Sequence, residues 1–168
     1  MSFRLRLVCA FAALATSAMG QTAPAPATVP SRFAFEEWVT IAPMETIGTT
    51  PNGLRTRIPI TGGTFAGPGL SGKVLPGGAD WQLHRADGST IIDADYMIET
   101  DDHVQIHVRN TGVSYTNKEG VHYVWTVPRF EAPMGAYGWL NDSTFVGTIS
   151  SADDKEHPAV RITIYRIG

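Results

Sequence analysis

Asp80 stands in the run Gly77-Gly78-Ala79-Asp80-Trp81-Gln82, a setting that makes it the side chain best placed to do chemistry. Successive side chains of a strand point to opposite faces. If Trp81 and Leu83 pack outward or under a loop, Asp80 and Gln82 point into the fold. A partly desolvated carboxylate there has a raised pKa and can act as a general acid or base. The competing reading is a turn acid whose side chain caps backbone amides after the glycine pair. A second group lies further on. Tyr137, Trp139 and Asn141 share one face of an expected strand, with Arg129 and Glu131 just before them. Trp and Tyr can give a pocket wall its apolar surface while Arg129 or Asn141 orients an oxygen of a ligand. Otherwise Trp139 is core and Asn141 a turn residue. Tyr137 or Tyr96 can supply a polarising hydroxyl. Arg57, on the polar face of its strand with Arg55, is an anion contact or a cross-strand partner of Asp93, Asp95 or Glu99. The candidate catalytic pair is therefore Asp80 and Tyr137, and the candidate ligand contacts are Arg57, Gln82, Tyr96, Arg129, Trp139 and Asn141.

Other constellations carry less. Gly67-Pro68-Gly69-Leu70-Ser71-Gly72-Lys73 matches the dinucleotide pattern G-x-G-x-x-G and most of a P-loop. Both chemistries need a helix whose N-terminal amides face phosphate, and Pro76-Gly77-Gly78 follows too soon for one. Val74 also stands where a P-loop needs Ser or Thr. His103 and His107 lie about 13 Å apart if they share a strand, too far to hold one ion. His84, His122 and His157 are scattered over other segments and read as solvated surface histidines. Neither a metal site nor a cofactor motif emerges from these residues. Asp153-Asp154 with Glu156 reads as a solvated loop, with weak calcium binding as the alternative. There is no G-x-S-x-G elbow, and Cys9 is the only cysteine, so covalent hydrolase chemistry is not indicated.

The elements that must position these residues are strands. The 168 residues fit one domain and are enough to bury a substantial core. Residues 1–20 read as a secretory signal peptide: Arg4 and Arg6 precede the apolar run Leu7 to Ala15, and Ala18-Met19-Gly20 offers small residues for cleavage. The run is too short to span a membrane. Its removal takes away Cys9 and leaves 11 basic against 16 acidic residues, a net charge of −5. Such mild acidity argues against nucleic acid and anionic membrane surfaces as partners. The expected location is the periplasm or the exterior, with no membrane attachment after cleavage. Residues 21–32, with Pro24, Pro26 and Pro30 among alanines and threonines, read as a disordered extended linker.

Over residues 33–168 alternation dominates. Phe35, Val39 and Ile41 oppose Glu36, Trp38 and Thr40; Leu54, Thr56, Ile58 and Ile60 oppose Arg55, Arg57, Pro59 and Thr61; Val104, Ile106 and Val108 oppose His103, Gln105, His107 and Arg109. From Ile58 to Trp81 seven glycines interrupt an apolar stretch, which reads as short strands broken by bends that curl and close a sheet. Ala86-Asp87-Gly88-Ser89, Asn110-Thr111-Gly112 and Asn117-Lys118-Glu119-Gly120 read as turns, and Tyr137 to Leu140 as a strand. No segment carries a sustained helical period. About ten short strands with regular turn signals point to an all-β, single-domain antiparallel barrel or sandwich, and the bends of the glycine-rich stretch, with the resemblance described next, favour the β-barrel.

The glycine-rich stretch also carries a resemblance. Arg57 to Phe65, Gly67-Pro68 with Leu70 and Gly72, and Leu75-Pro76-Gly77-Gly78-Ala79-Asp80-Trp81-Gln82 resemble domain-of-unknown-function family 3237. The match continues through Arg85, Asp87-Gly88, Thr100-Asp101-Asp102 and Asn110-Thr111-Gly112 to Phe130-Glu131, Tyr137, Trp139, Leu140 and Asn141, so it covers the chain from Phe35 to Ile167. The resemblance implies a compact antiparallel β-barrel and little about activity. Members usually carry glycine after the Asp-Asp pair, where His103 stands here, so that turn is expected to differ in shape. Two function classes remain open. In one, the barrel mouth is a cofactor-independent active site of lyase, isomerase or cyclase type for a small, partly apolar metabolite. In the other, the same residues bind a small molecule for carriage or sensing. A homo-oligomer is compatible with the sequence.

Overall fold

The computed structural model describes residues 28–152 and 158–168. The signal peptide, most of the linker, and Asp153, Asp154 and Glu156 lie outside the described residues. Eleven strands follow one another: β1 (Ser31–Ile41), β2 (Glu45–Thr50), β3 (Gly53–Gly67), β4 (Leu70–Val74), β5 (Ala79–Asp80), β6 (Leu83–His84), β7 (Thr90–Thr100), β8 (Gln105–Thr116), β9 (His122–Glu131), β10 (Thr144–Ala152) and β11 (Ala159–Ile167). Their order is β1-β11-β10-β9-β8-β7-β4-β3-β2, and β1 also pairs with β3, which closes the sheet. The chain is thus a closed eight-stranded antiparallel barrel with extra strands. β5 and β6 bridge β3 and β7 beside β4, and β2 extends outward from β3.

Alternation decides what faces inward. Along β1, Phe35, Glu37 and Val39 are buried while Glu36, Trp38 and Thr40 are partly exposed. A bulge between Phe33 and Phe35 buries Ala34 and Phe35 together. Along β9, Thr126, Pro128 and Phe130 face in, and Trp125, Val127 and Arg129 face solvent. Period-2 patterning of this kind needs the apolar face covered, and here the β1–β3 pairing covers it by closure, which also leaves no bare edge between those strands.

Several local expectations are corrected. Leu54 to Thr61 and the start of the glycine-rich stretch are one strand, β3, rather than short pieces. It bends at Gly62-Gly63, where Gly63 has φ +134° and an added Cβ would stand 2.0 Å from the Trp38 carbonyl oxygen, so the neighbouring strand fixes glycine there. Asn110-Thr111-Gly112 is no turn but the middle of β8, paired with β7 on one side and β9 on the other. Its glycine serves close approach: a Cβ on Gly112 would lie 2.2 Å from the Trp125 carbonyl oxygen. Tyr137 to Leu140 forms no strand; Gly138–Leu140 is a single 3-10 turn. Pro133 and Gly135 break the chain after β9, and the Asn141 side chain bonds both the amide of Ala132 (2.8 Å) and its carbonyl (3.0 Å), folding the segment back. The turn at His103 keeps a glycine-like shape, with His103 at φ +66°, the left-handed region that side chains resist.

The two ends of the barrel differ. Around Phe35, Phe65, Phe130 and Phe145 the interior is solid aromatic packing, with Phe35 to Phe130 at 5.6 Å and Phe130 to Phe145 at 5.0 Å between ring centroids. Leu140, fully buried, caps this end from the 3-10 turn. At the other end, where β1, β8 and β10 finish and β7, β9 and β11 begin, the interior opens into a cavity.

Candidate functional site

The cavity measures about 240 Å³ and is walled by branched aliphatic side chains, among them Val39, Ile41, Ile60, Ile92, Ile149 and Val160. Six polar side chains interrupt that wall: Asp80, Gln82, Thr90, Tyr96, Asn110 and Ser114. No lysine or arginine is among its described lining residues. A volume slightly below the ~300 Å³ at which small-molecule sites begin suits a compact ligand.

Asp80 reaches the cavity by the parity expected of it. Trp81 points outward, 42% exposed, with the Arg57 guanidinium 5.5 Å above its ring, so Asp80 and Gln82 turn inward. Two hydrogen bonds hold the carboxylate: Gln82 Nε2 donates to Oδ2 at 2.6 Å, and the Asp93 amide donates to Oδ1 at 3.0 Å. Burial raises its pKa, and these two donors oppose that rise without cancelling it. The glycine pair before it does not receive a cap; the amide that Asp80 accepts from lies across the sheet on β7.

Behind Tyr96 lies a group that sequence reasoning missed. Glu37 is fully buried, and the Tyr96 hydroxyl donates to its Oε2 at 2.5 Å while Oε1 has no protein partner. Burial lifts the Glu37 pKa from 4.5 to about 7, although the tyrosine hydrogen bond pulls the other way. Tyr96 itself is pushed well above the ordinary phenol, first by burial and then by the negative Glu37, with Asp80 adding to the effect. Parity held the signal: Glu37 lies between Phe35 and Val39 on the inward face of β1, where a carboxylate is out of place.

Asn110 was missed for a different reason. It is fully buried on β8, following Ile106 and Val108 on the inward face, and it lines the cavity. Neither its amide nitrogen nor its amide oxygen has a hydrogen-bond partner. Reading Asn-Thr-Gly as a turn hid this, whereas continuing the Ile106–Val108 alternation by one step reveals it. His84 also departs from the surface reading: half-buried, it sits with Nε2 3.0 Å from Thr56 Oγ1 and Nδ1 3.0 Å from Thr90 Oγ1, beneath the cavity rim.

The remaining candidates do not join this cluster. Tyr137 donates to Asp102 Oδ1 at 2.8 Å at the closed end, and that bond raises the phenol's pKa. Trp139 packs on Phe145 (5.9 Å) under Arg166 (5.4 Å), and Asn141 clamps Ala132. The expected shared strand face does not exist, because the 3-10 turn sends the three side chains to separate neighbours. Arg129 is exposed on the outer face of β9. Arg57 is outside too, paired with Glu45 at 2.9 Å. Of Asp93, Asp95 and Glu99, the first pairs with Arg109, at 3.1 Å, and the others with His107 and Lys73. The structure therefore brings together Asp80, Gln82 and Tyr96 from the expected set, and adds Glu37 and Asn110.

The chain is similar to proteins already described. A UPF0311 protein of Rhodopseudomonas palustris is 33% identical over 141 residues, covering 76% of this chain and 92% of the relative. A hydroalkoxylation enzyme of Penicillium herquei is 31% identical over 137 residues, covering 82% and 83%. The crystal structure of a beta-barrel like protein from Acinetobacter baumannii superposes with a TM-score of 0.77 at 32% identity, covering 85% of this chain and 98% of that one. The model of the family described as protein of unknown function (DUF3237) matches residues 30–167, and the chain belongs to that family.

Proposed function

We propose that this barrel is a cofactor-independent acid–base enzyme of lyase, isomerase or cyclase type, acting in its cavity on a small, partly apolar molecule. One observation carries the reading: two carboxyl groups with raised pKa, Asp80 and the Glu37 behind Tyr96, serve one mostly aliphatic cavity. Their surroundings give them different roles. Asp80 accepts two hydrogen bonds, which favour its ionised form, and it acts as the base. Glu37, titrating at about 7 with one oxygen unpartnered, is partly protonated at neutral pH; to pass that proton on, its hydrogen bond with Tyr96 reverses, the carboxylic acid donating and the phenol proton turning toward the cavity. Paired groups whose environments separate their proton affinities mark acid and base assignments.

The relative named as a hydroalkoxylation enzyme supports this class. Hydroalkoxylation adds an O–H across a C=C bond. In that reaction Asp80 would take the hydroxyl proton as the C–O bond forms. Tyr96 would deliver a proton to the carbon and recover one from Glu37. One proton leaves the hydroxyl and one reaches the carbon, exchange with solvent then returns Asp80 to its ionised and Glu37 to its protonated form, and no electron acceptor is needed.

The test is an uncharged open-chain enone whose far end carries a hydroxyl beside an ether oxygen, followed by loss of the conjugated absorbance. Turnover is expected to trace a bell in pH. It falls on the alkaline side as Glu37 ionises through about 7 and on the acid side as Asp80 takes up its proton. Asp80→Asn should reduce kcat by roughly 10²–10⁴-fold while leaving ligand binding intact. Binding without turnover across the pH range would instead make the protein a carrier. We also propose that the mature protein works in the periplasm or outside the cell. The support is the basic start, the apolar run Leu7 to Ala15 and the small residues up to Gly20. N-terminal sequencing of protein from fractionated cells tests this, and a cytoplasmic chain retaining Met1 or Ser2 would refute it.

A further inference from the structure

Asn110 is anomalous wherever it is viewed from. A primary amide has two donors and two acceptor sites, and a buried polar atom left without a partner costs about 1–3 kcal/mol. Here both ends of the amide are unpaired, the residue is fully buried, and its neighbours on the inward face are Val108 and the side-chain-free Gly112. A core position with that surrounding is better served by leucine. Asn110 does, however, belong to the lining of the cavity, on the same inner wall as Tyr96, although its amide atoms themselves are closed off from solvent. Its oxygen and nitrogen are side by side, so the complementary group is a donor and an acceptor on adjacent atoms of a ligand.

Charge narrows the class further. The described lining contains the Asp80 carboxyl, has Glu37 behind Tyr96, and contains no cation. An anionic ligand entering it would meet like charge in an apolar surround without a counter-ion, which binding sites avoid. Branched aliphatic walls, in turn, fit a hydrocarbon ring or chain.

We propose that Asn110 is the specificity-determining residue of the cavity, and that its ligand is an uncharged, largely hydrocarbon molecule carrying a hydroxyl next to a carbonyl or ether oxygen. Asn110 Oδ1 accepts from the hydroxyl and Nδ2 donates to the neighbouring oxygen. This rests on the acid–base reading only for what happens after binding: the hydroxyl so oriented is the proton source that Asp80 would act on.

Three probes of similar size separate the features: guaiacol, which is neutral with a hydroxyl beside an ether; veratrole, which lacks the hydroxyl; and salicylate, which is anionic. Titrated against the mature protein by NMR, guaiacol should bind about tenfold more tightly than either of the others, the weight of one or two hydrogen bonds. Asn110→Leu should abolish the difference between guaiacol and veratrole and, because it removes an unpaired buried amide, should raise the Tm. Equal binding of guaiacol and salicylate, no binding of guaiacol, or a guaiacol preference that survives in Asn110→Leu would each overturn the proposal. A lowered Tm in Asn110→Leu would do the same by making the amide a structural group. Asp80→Asn keeps the two readings apart. If turnover persists in that variant while guaiacol still depends on Asn110, the acid–base assignment fails and the specificity assignment stands.

Discussion

The two ends of the barrel use the same strands for opposite purposes. At the closed end every inward side chain meets another, and polar groups there complete the architecture: Asn141 holds Ala132, and Tyr137 and Thr100 share Asp102. At the open end polar groups are held under tension. Glu37 keeps one carboxylate oxygen unpaired, Asn110 has no partner at all, and Asp80 is buried against its own charge. Incomplete bonding alone does not mark the site, since Thr126 Oγ1 is also buried without a partner and lies outside the cavity lining; it is telling at Asn110 and Glu37 because these stand in or directly behind the cavity wall. A buried polar group whose bonds are complete stabilises the fold, and one whose bonds are incomplete beside a cavity is available to something else.

The largest effect expected from this contrast is in packing. Phe35→Ala should cost about 3–5 kcal/mol in urea unfolding, because its ring touches Phe65 and Phe130 in a filled interior. Ile92→Ala should cost about 2 kcal/mol or less, since one side of Ile92 already borders the cavity. Equal losses would erase the distinction between the ends.

Next comes pH. The folded state holds the Glu37 proton up to about 7, whereas the unfolded chain releases it near 4.5. Between those values the folded state binds more protons, so its stability falls as pH rises. The contribution is fully present below about 4.5 and lost by about 8, and amounts to roughly 3 kcal/mol. Glu37→Gln should flatten that slope and be the more stable protein at pH 8, with the Tyr96 hydroxyl still donating to the amide oxygen. A wild-type profile without slope over this window would mean that Glu37 is paired after all.

The smallest effects form the sharpest pair. Asn141→Ala should lose about 1–2 kcal/mol, since two hydrogen bonds to Ala132 disappear. Asp80→Asn should change stability by less than about 1 kcal/mol, or raise it, because a neutral amide relieves the burial of charge that a working residue tolerates. The reverse ranking would make Asp80 scaffold and return attention to the closed end.

Much of this was legible in the residues, and the failures have specific causes. Asp80 and Gln82 were legible as inward-facing by parity, given that Trp81 packs outward, beside the competing reading of Asp80 as a turn acid. Glu37 was readable by the same rule and was passed over because only the apolar residues of that face were counted. Asn110 was lost because Asn-Thr-Gly is turn chemistry in isolation, while pairing with β7 and β9 on both sides overrides that local preference. Tyr137, Trp139 and Asn141 were joined on a strand that a proline and a glycine prevent.

The sequence by itself determined the alternation, hence strands, hence an all-β chain; these follow from side-chain period and composition, which are local, whereas the barrel rather than a sandwich was legible only from the glycine bends and the family resemblance. Only the tertiary structure decided which strand ends meet. Asp80 on β5, Tyr96 on β7 and Asn110 on β8 become neighbours through the pairing of β7 with both flanking strands, and Glu37 on β1 reaches Tyr96 because β1 pairs with β3 and shuts the barrel. The same closure fills one end with four phenylalanines and leaves the other hollow. Register across a closed sheet is a property of all the strands at once, and no stretch of the chain states it alone.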